Sequence, residues 1–322
     1  MKLPSLSVVV PNYNHSQYLP ACIRAIATQS VPADEIIVVD DASTDNSVEV
    51  LQGLARQYPS VKVHRNPVNL GVAGAVSRGI DLASSQFVYL ASADDEVMPG
   101  FFERTLPLLA GHPEAGLCAG ICRMLDMNSR LSYDFGRNIT SVPCFLSPQQ
   151  VVQLVRQHRF LVFGTAVLWR RDAMLRAGKF QAGLRWHSDW FPMFALAFRH
   201  GMCFVPEVLA EFRSRPSGLS NSGMKQLGIQ LEVLRYALDL LDQPDNQDLA
   251  PLFRQSGALA SFGKEMLWLI ISHRKYWKNL NPTYLRLALW WTLRIEAKKI
   301  LPRSAARLYY KMAGVNAESP AT

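Results

Sequence analysis

The N-terminal part of the chain alternates short apolar, β-branched runs with segments whose apolar residues recur at helical spacing. The strand-like runs cover 6–10, 35–39, 61–64 and 87–90, and polar or small residues follow each of them. This alternation predicts an α/β fold with a mostly parallel sheet and right-handed helical crossovers. Because the carboxyl ends of parallel strands share one edge, we expect the polar residues to meet there, where open α/β sheets bind ligands.

Two adjacent carboxylates, Asp94 and Asp95, follow the last of these runs. Like charges side by side repel, so a fold that places them at a strand end usually offers them a cation or hydroxyl groups. Mg²⁺ and Mn²⁺ prefer oxygen ligands and bridge carboxylates to phosphates. The pair therefore favours a metal-nucleotide site. The alternative is that both residues cap a helix that starts near Pro99.

The regular alternation of strands and helices changes after residue 116. Further strands are predicted at 116–122, 163–169, 203–205 and 211–212, and helices at 148–156, 172–177 and 187–200. From residue 223 the pattern is helical throughout, with helices predicted at 227–241, 249–271 and 284–300. We expect one domain over 1–220, with halves 1–115 and 116–220, followed by a helical region over 221–322.

Composition indicates a globular chain with a sizeable core, since 49% of its 322 residues are hydrophobic and 19% are charged. The five cysteines are scattered and form no CxxC pair, which favours reduced, buried thiols in a cytoplasmic protein. The N-terminus shows no signal-peptide pattern, and no apolar run reaches the ~18 residues of a membrane span.

The net charge of +8 is unevenly distributed. The segment 264–311 carries eleven Lys and Arg residues against Glu265 and Glu296, with Trp268, Trp277, Trp290 and Trp291 among them. Basic amphipathic helices with Trp often lie on a membrane surface. A helical bundle with a solvated basic face is the alternative. No aromatic-basic RNA-binding motif accompanies the charge, so we expect no nucleic-acid partner.

Four segments together carry a family resemblance. They occur in order as Ser7–Asn14 (SVVVPNYN), Ile36–Asp45 (IIVVDDASTD), Asn69–Ala73 (NLGVA) and Ala91–Asp95 (ASADD). The set resembles the family 2 inverting glycosyltransferases of the GT-A fold over roughly residues 5–215. The resemblance implies a sheet edge that binds a nucleotide-diphosphate sugar, with a UDP-sugar as the first candidate, and a divalent metal, Mg²⁺ or Mn²⁺, at Asp94 and Asp95. One of the two carboxylates is expected on the ribose side of the donor and the other on the metal, and Asp94 is counted with the substrate-binding residues as well as with the metal ligands.

On the donor side, the resemblance places Asp41 at the nucleotide base of the donor. A uracil or thymine ring needs an acceptor for its N3–H and a flat neighbour, which Asp41 and Tyr13 would supply while Pro11 shapes the strand end. Gly71 would allow close approach of the nucleotide, and Gly74 would do the same or serve packing. The polar residues Asp40, Ser43 and Asp45 are expected to organise the turn and to cap the next helix.

Two departures from the family pattern concern the donor side. Ser92 stands where the family usually has the first Asp of its acidic motif. Val76 and Ser77 stand where the family usually has Arg-Asn, so a nucleotide-side Arg contact is lost or moved to Arg78.

The second half is expected to supply the catalytic base. An inverting transfer needs a carboxylate that takes the proton from the acceptor hydroxyl. The family places this carboxylate at a helix start, which Asp189 matches, with His187 as the second choice and helix capping as the alternative role of Asp189. Trp186 and Trp190 would line an acceptor cleft, because sugars stack on aromatic rings, or pack in the core.

Arg215 occupies a place where the family often has a His that faces the metal or the phosphates. An Arg cannot ligate a metal, but it can neutralise the diphosphate directly. Reduced dependence on the metal is therefore part of the hypothesis.

The sequence as a whole predicts a glycosyltransferase that moves a sugar from a nucleotide-diphosphate sugar to a glycan or lipid-linked acceptor in bacterial cell-surface polysaccharide or glycolipid synthesis. We expect it to be cytoplasmic, with peripheral contact at the inner membrane face. The alternatives are a catalytically inactive binding or scaffold protein of the same fold, and a nucleotidyltransferase.

Overall fold

The structure is a computed structural model that describes residues 4–215, 218, 223–300 and 316–318. The strands are β1 Leu6–Asn12, β2 Glu35–Asp40, β3 Val61–Arg65, β4 Phe87–Leu90, β5 Glu96–Val97, β6 Leu117–Asp126, β7 Ser132–Phe135, β8 Cys144–Leu146, β9 Val167–Arg170, β10 Met202–Ser214 and β11 Asn316–Glu318. The helices are α1 Leu19–Ala27, α2 Ser47–Gln57, α3 Gly71–Leu82, α4 Phe101–Gly111, α5 Pro148–Arg156, α6 Arg171–Arg176, α7 Trp190–His200, α8 Leu227–Leu241, α9 Leu249–Ser256, α10 Gly263–Ser272 and α11 Pro282–Ile300.

The strands form one mixed sheet whose N-terminal half is parallel. Strands β3, β2, β1 and β4 lie side by side in that order and pair in parallel, as the strand-helix alternation predicts. The next strand, β9, runs antiparallel to β4, and β6 runs antiparallel to β9. In the first half the pairing is parallel throughout, because a helix separates successive strands and makes the crossover possible.

Strand β10 differs from its sequence prediction. Instead of two short strands it forms one strand that pairs with β6 in parallel from Met202 to Ser214, with register shifts between Val205 and Ala210. Pro206 lies in this interval and has no N–H to donate, so the ladder is interrupted there without ending. The continuous strand carries residues 213 and 215 to the sheet edge that holds Asp94 and Asp95.

Two predicted helices are shorter than expected. The helix predicted over 249–271 is divided into α9, a 3-10 turn over Ala258–Phe262, and α10. Gly257, at φ 71° and ψ 24°, has the left-handed conformation that ends an α-helix, and Gly263, at φ 71° and ψ −149°, is the first residue of α10. The helix predicted from His187 begins at Trp190, after a 3-10 turn over Ala182–His187.

The core lies on both faces of the sheet. In β1, Val8 and Val10 face one apolar cluster and Val9 faces the other, as alternation along a strand requires. The C-terminal helices share the second cluster with α7, because Leu234 and Phe253 belong to it together with Phe191. The helical region therefore packs directly on the sheet-bearing part. The predicted boundary near residue 220 falls among residues outside the described set.

All five cysteines are unpaired, and every one except the half-buried Cys144 is buried, as predicted. Within the described residues, none of the helices combines the length and the apolar character that crossing a bilayer requires. The basic residues Arg303, Arg307 and Lys311 of the C-terminal segment lie outside the described residues.

Candidate active site

The polar strand ends meet at one edge, as the sequence predicts. Parallel register places Asn12 beside Asp40 and Pro11 beside Val39, and Val9 lies beside Leu90. The loop that follows β1 carries Tyr13, whose side chain is 45% exposed. A flat, accessible ring thus stands next to the end of β2, where Asp41 follows.

Asp41 is buried, and its carboxylate is held from two sides. Asn66 Nδ2 donates a hydrogen bond of 2.6 Å to Asp41 Oδ1. The backbone N–H of Leu70 donates to Oδ1 and Oδ2 over 2.9 and 3.1 Å. A carboxylate oxygen accepts more than one hydrogen bond, so Oδ2 keeps acceptor capacity for a ligand. The orientation of that acceptor is fixed by the fold.

Arg78 acts on Asp41 through Asn66. Its guanidinium donates to Asn66 Oδ1 and, over 3.3 Å, to the backbone carbonyl of Arg65. Because the amide oxygen of Asn66 is held in this way, its NH₂ group points at Asp41. A direct contact of Arg78 with the nucleotide stays a prediction, and the structure adds this indirect connection.

The neighbouring polar residues organise the turn after β2, as expected. Asp40 accepts from Asn12 Nδ2 over 2.9 Å and from the N–H of Ser43 over 3.2 Å. Asp45 accepts from the N–H groups of Ser16 and Ser47.

Two glycines lie near Asp41. At Gly71, φ is +75° and an added Cβ would meet nothing within 4 Å, so the space beside it is open. At Gly74 an added Cβ would lie 2.6 Å from Leu70 Cβ, which accounts for this glycine by packing.

Asp95 is buried, and both of its carboxylate oxygens have partners. Oδ1 accepts from the backbone N–H of Arg213 over 3.0 Å, and Oδ2 accepts from Thr165 Oγ1 over 2.9 Å. Burial, with the negative charge of Asp94 next in importance, raises the pKa of Asp95 to about 7. Asp95 therefore connects three separate segments: β10, the turn before β9, and the acidic motif itself.

Asp94 has a different partner. Arg215 Nη1 donates to Asp94 Oδ2 over 2.7 Å. The same guanidinium lies over the ring of Tyr18, with its central carbon 4.7 Å from the ring centroid, which is cation–π geometry. Neither carboxylate caps a helix, because α4 begins after Gly100 without a side-chain cap. The capping alternative for this pair is therefore wrong.

These contacts bear on whether Asp94 and Asp95 can bind the expected metal ion. Among the described residues there is no group of three or more His, Cys, Asp or Glu side chains able to hold a metal ion. Asp95 is hydrogen bonded on both oxygens, and Asp94 is paired with a guanidinium. This donor set does not fit a site in which both carboxylates bind the metal.

Asp189 lies close to the Asp95 segment. It precedes α7 but makes no side-chain cap hydrogen bond, so the structure does not bear out the capping role. A Cβ added at Gly164 would lie 2.5 Å from Asp189 Oδ2, which places this carboxylate against Gly164. The next residue, Thr165, holds Asp95. Burial raises the pKa of Asp189, and the N–H groups of Trp190 and Gly164 act in the opposite direction.

Of the aromatic residues around Asp189, Trp186 and His187 are half-buried and Trp190 is buried. Trp186 Nε1 donates to Gln230 Oε1 over 2.9 Å, and Gln230 also contacts His187 Nε2 at 3.3 Å. Burial lowers the pKa of His187 to about 4, which makes it a weak base. Trp190 is only 9% exposed and packs against Phe253 and Phe262, so the structure places it in the core.

Sequence reasoning missed several residues of this site. Gly164, Thr165 and Gln230 were not singled out, and Asn66 was also passed over. Asn66 directly follows β3, so the rule that polar residues after strands share an edge would have found it. Gly164 and Thr165 precede a strand rather than follow one, and Gln230 lies on a helix with no motif, so no comparable signal marks them.

The profile described as "Glycosyl transferase family 2" matches residues 7–171, about half of the chain. The chain belongs to this family. It is 39% identical over 103 residues to an uncharacterized glycosyltransferase, YibD, of Escherichia coli strain K12. That match covers 32% of this chain and 30% of the relative, so the chain spans less than a third of the relative's length.

Solved structures show the same fold. The S. aureus TarS 1-349 structure in complex with UDP-GlcNAc is similar with a TM-score of 0.59 and 16% identity, covering 88% of this chain and 79% of that chain. The mannosyltransferase PcManGT of Pyrobaculum calidifontis, in complex with GDP-Man and Mn²⁺, has a TM-score of 0.58 and 17% identity, covering 98% and 81%. The fold of this family 2 member is therefore the GT-A fold.

Proposed function

We propose that this family 2 protein is an inverting glycosyltransferase that moves a sugar from a nucleotide-diphosphate sugar to an acceptor hydroxyl. Inversion needs one carboxylate base on the acceptor side and charge neutralisation on the donor side. Asp189 is the candidate base. Arg215, beside Asp94, is the candidate group that neutralises the diphosphate.

Two contacts, made by the neighbouring residues Gly164 and Thr165, support this proposal. The carboxylate of Asp189 abuts Gly164, and the adjacent Thr165 hydrogen bonds to Asp95. Successive Cα atoms are about 3.8 Å apart. The candidate base and the donor-side acidic motif thus touch neighbouring residues of one short turn. An acceptor hydroxyl between them would lie in reach of both sides.

For the donor we propose a UDP-sugar. The oriented Oδ2 of Asp41 would accept the N3–H of uracil, and the exposed ring of Tyr13 would contact the base. The open space at Gly71 would admit the ribose or phosphates, with Pro11 shaping the pocket wall. The relatives' ligands, UDP-GlcNAc and GDP-Man, belong to the same chemical class.

For the acceptor we propose a glycan or lipid-linked sugar in cell-surface polysaccharide or glycolipid synthesis. Trp186 is the candidate stacking residue, because it is half-buried beside the Asp189 segment while its indole N–H is held by Gln230. Trp190 does not enter this proposal. A divalent metal, Mg²⁺ or Mn²⁺, stays a prediction that the donor set of Asp94 and Asp95 does not favour.

The experiment is a donor and acceptor screen with detection of UDP release. Wild-type protein with UDP-sugars, and with GDP- and dTDP-sugars for comparison, should release the nucleotide only when an acceptor is present. The product should have the anomeric configuration opposite to the donor by NMR. Retention would exclude the inverting mechanism.

Release of no nucleotide from any donor would favour the inactive scaffold. That second candidate has support from three departures from the family pattern, at Ser92, Val76 and Arg215.

We further propose that the C-terminal helices contact the membrane surface peripherally. Trp268, Ile271 and Trp277 are each more than half exposed, and Leu285, Leu289 and Leu293 repeat every fourth residue along α11 with exposed side chains. Basic residues accompany them, although Lys275 and Lys278 are paired with Asp239 and Asp242. Trp290 and Trp291, in contrast, are half-buried, and Trp290 stacks with His158.

Liposome flotation tests this contact. The double substitution Trp268→Ser with Trp277→Ser should reduce the bound fraction on vesicles with anionic lipid, because both rings are exposed. Val142→Ser is the matched control, since Val142 is 60% exposed outside this region. Equal flotation of the double variant and wild type would remove the proposal.

A further inference from the structure

The acidic motif is paired with a cationic side chain of the protein, the guanidinium of Arg215. Arg215 lies at the end of β10, and its guanidinium rests between the carboxylate of Asp94 and the ring of Tyr18. The Arg215 and Asp94 side chains are 20% and 30% exposed, so the pair borders on solvent without being freely solvated. A guanidinium held by a carboxylate on one side and an aromatic face on another has a defined orientation.

The guanidinium of Arg213 does not compete for this position. Arg213 is engaged with Glu96 and, over 3.0 Å, with Glu211, so its guanidinium points toward those carboxylates. Its backbone N–H, together with Thr165, satisfies the oxygens of Asp95. Of the two adjacent carboxylates, Asp95 is therefore held by neutral donors and Asp94 by Arg215.

We propose that Arg215 takes the role of the divalent cation, so that this protein binds the diphosphate of its nucleotide donor without a metal. This inference rests on the proposed function, since it assumes a nucleotide-diphosphate ligand. Arg215 would direct its guanidinium to the phosphate oxygens while Asp94 and Tyr18 keep it in position. Arg suits this role because its planar fork matches phosphate oxygens.

The position explains why the donor set looks incomplete for a metal. A divalent ion at Asp94 would have to displace Arg215 or share one carboxylate with it, and two cations beside one carboxylate repel each other. Metal and Arg215 are thus alternatives at one place. Removing the guanidinium should make the site more receptive to a metal ion.

The test compares UDP and GDP binding by titration calorimetry in EDTA and in Mn²⁺. Wild type should bind one of these nucleotides equally well in both conditions. Arg215→Ala should bind it more weakly in EDTA by roughly tenfold to a hundredfold, the range expected for a charged hydrogen bond. Arg215→Lys should lose less, because it keeps the charge without the fork.

A second readout does not depend on activity. The free Mn²⁺ signal in electron paramagnetic resonance should be unchanged by wild-type protein without nucleotide and should decrease with Arg215→Ala. Arg104→Ala is the matched control, since Arg104 forms an exposed ion pair with Glu207 away from the site. Circular dichroism and the melting temperature verify that each variant is folded.

The outcomes separate this inference from the proposed function. Wild-type binding of UDP or GDP only in Mn²⁺ would overturn the inference and leave the donor class intact. Equal affinities of wild type and Arg215→Ala in EDTA would also overturn it. Binding of neither nucleotide under either condition would overturn both proposals.

Discussion

The two sides of the candidate site are built in different ways. On the donor side, regular strands end at one edge and Asp41 is held by Asn66 and Leu70, which lie within 29 positions of it in the chain. On the acceptor side, Asp189 stands between a 3-10 turn and α7 and abuts Gly164. Gln230 reaches Trp186 across 44 positions.

Both sides contain residues with a left-handed backbone. The acceptor-side turn contains Arg185 at φ 48° and ψ −115°, a strained conformation for a residue with a side chain. On the donor side, Asn14 at φ 55°, Ala42 at φ 61° and Gly71 at φ 75° are left-handed too. The Asp41 part of the donor side is therefore held by segments that are close to it in the chain, whereas the acidic motif and the acceptor side depend on contacts between distant segments.

The sharpest test of this comparison is Asp189→Asn. If Asp189 is the base, kcat should fall by about 10²- to 10⁴-fold, the usual contribution of a general base. The affinity for UDP should stay unchanged, because the donor side is built separately. Steady-state kinetics and UDP titration measure the two effects, and a kcat within a few-fold of wild type would remove Asp189 from this role.

Gly164→Ala tests whether the acceptor side needs its close contact. The added Cβ would lie 2.5 Å from Asp189 Oδ2, so the carboxylate must move. Because misplacement by about 1 Å costs up to ~100-fold, we expect kcat to fall by tenfold or more. Gly111→Ala is the control, since its Cβ would meet nothing within 4 Å. Equal rates for both variants would show that Asp189 does not act from this position.

Asn66→Ala probes the donor side. Loss of its hydrogen bond to Asp41 should raise the Kd for UDP by about five- to thirtyfold, from the ~1–2 kcal/mol such a bond contributes in a buried place. Arg78→Ala should have a smaller effect in the same direction, because Arg78 acts through Asn66. The exposed Arg56→Ala serves as the control. An effect on kcat without one on Kd would contradict the separation of the two sides.

The smallest expected effect is on the pH profile. A general base must be ionised, and burial raises the pKa of Asp189. The acid limb of kcat should therefore have its midpoint above ~3.9, where an ordinary Asp titrates, and activity should rise as pH increases through it. Circular dichroism over the same range excludes acid unfolding, and a midpoint at or below the ordinary value would contradict the assignment.

Much of the donor side could be predicted because its signals are local. A β-branched run followed by Asp40 and Asp41, or by Asp94 and Asp95, marks both a strand and its ligand-binding end. The strand bounds of β4 and the helix bounds of α5 and α8 agree with the prediction. Errors occurred where one residue changed the outcome, as at Pro206 within β10 and Gly257 after α9.

The role of each charged side chain was harder to predict, because a sequence does not state which partner it will meet. Asp94 and Asp95 are adjacent and chemically identical, yet one pairs with Arg215 and the other with Thr165 and a backbone N–H. Residue 213 of β10 and Thr165 of the turn before β9 both reach Asp95, whereas Arg215, two residues further along, reaches Asp94.

By itself the sequence determined the alternating architecture, the sheet edge at which polar residues gather, and the residue types available there, because periodicity and strand-end chemistry are local properties. Tertiary structure alone decided that Asp189 abuts the turn holding Asp95, that Trp190 is buried while Trp186 stays near the surface, and that Arg215 rests on Asp94. Each of these depends on contacts between segments far apart in the chain, whose relative positions are fixed only when the two faces of the sheet are packed.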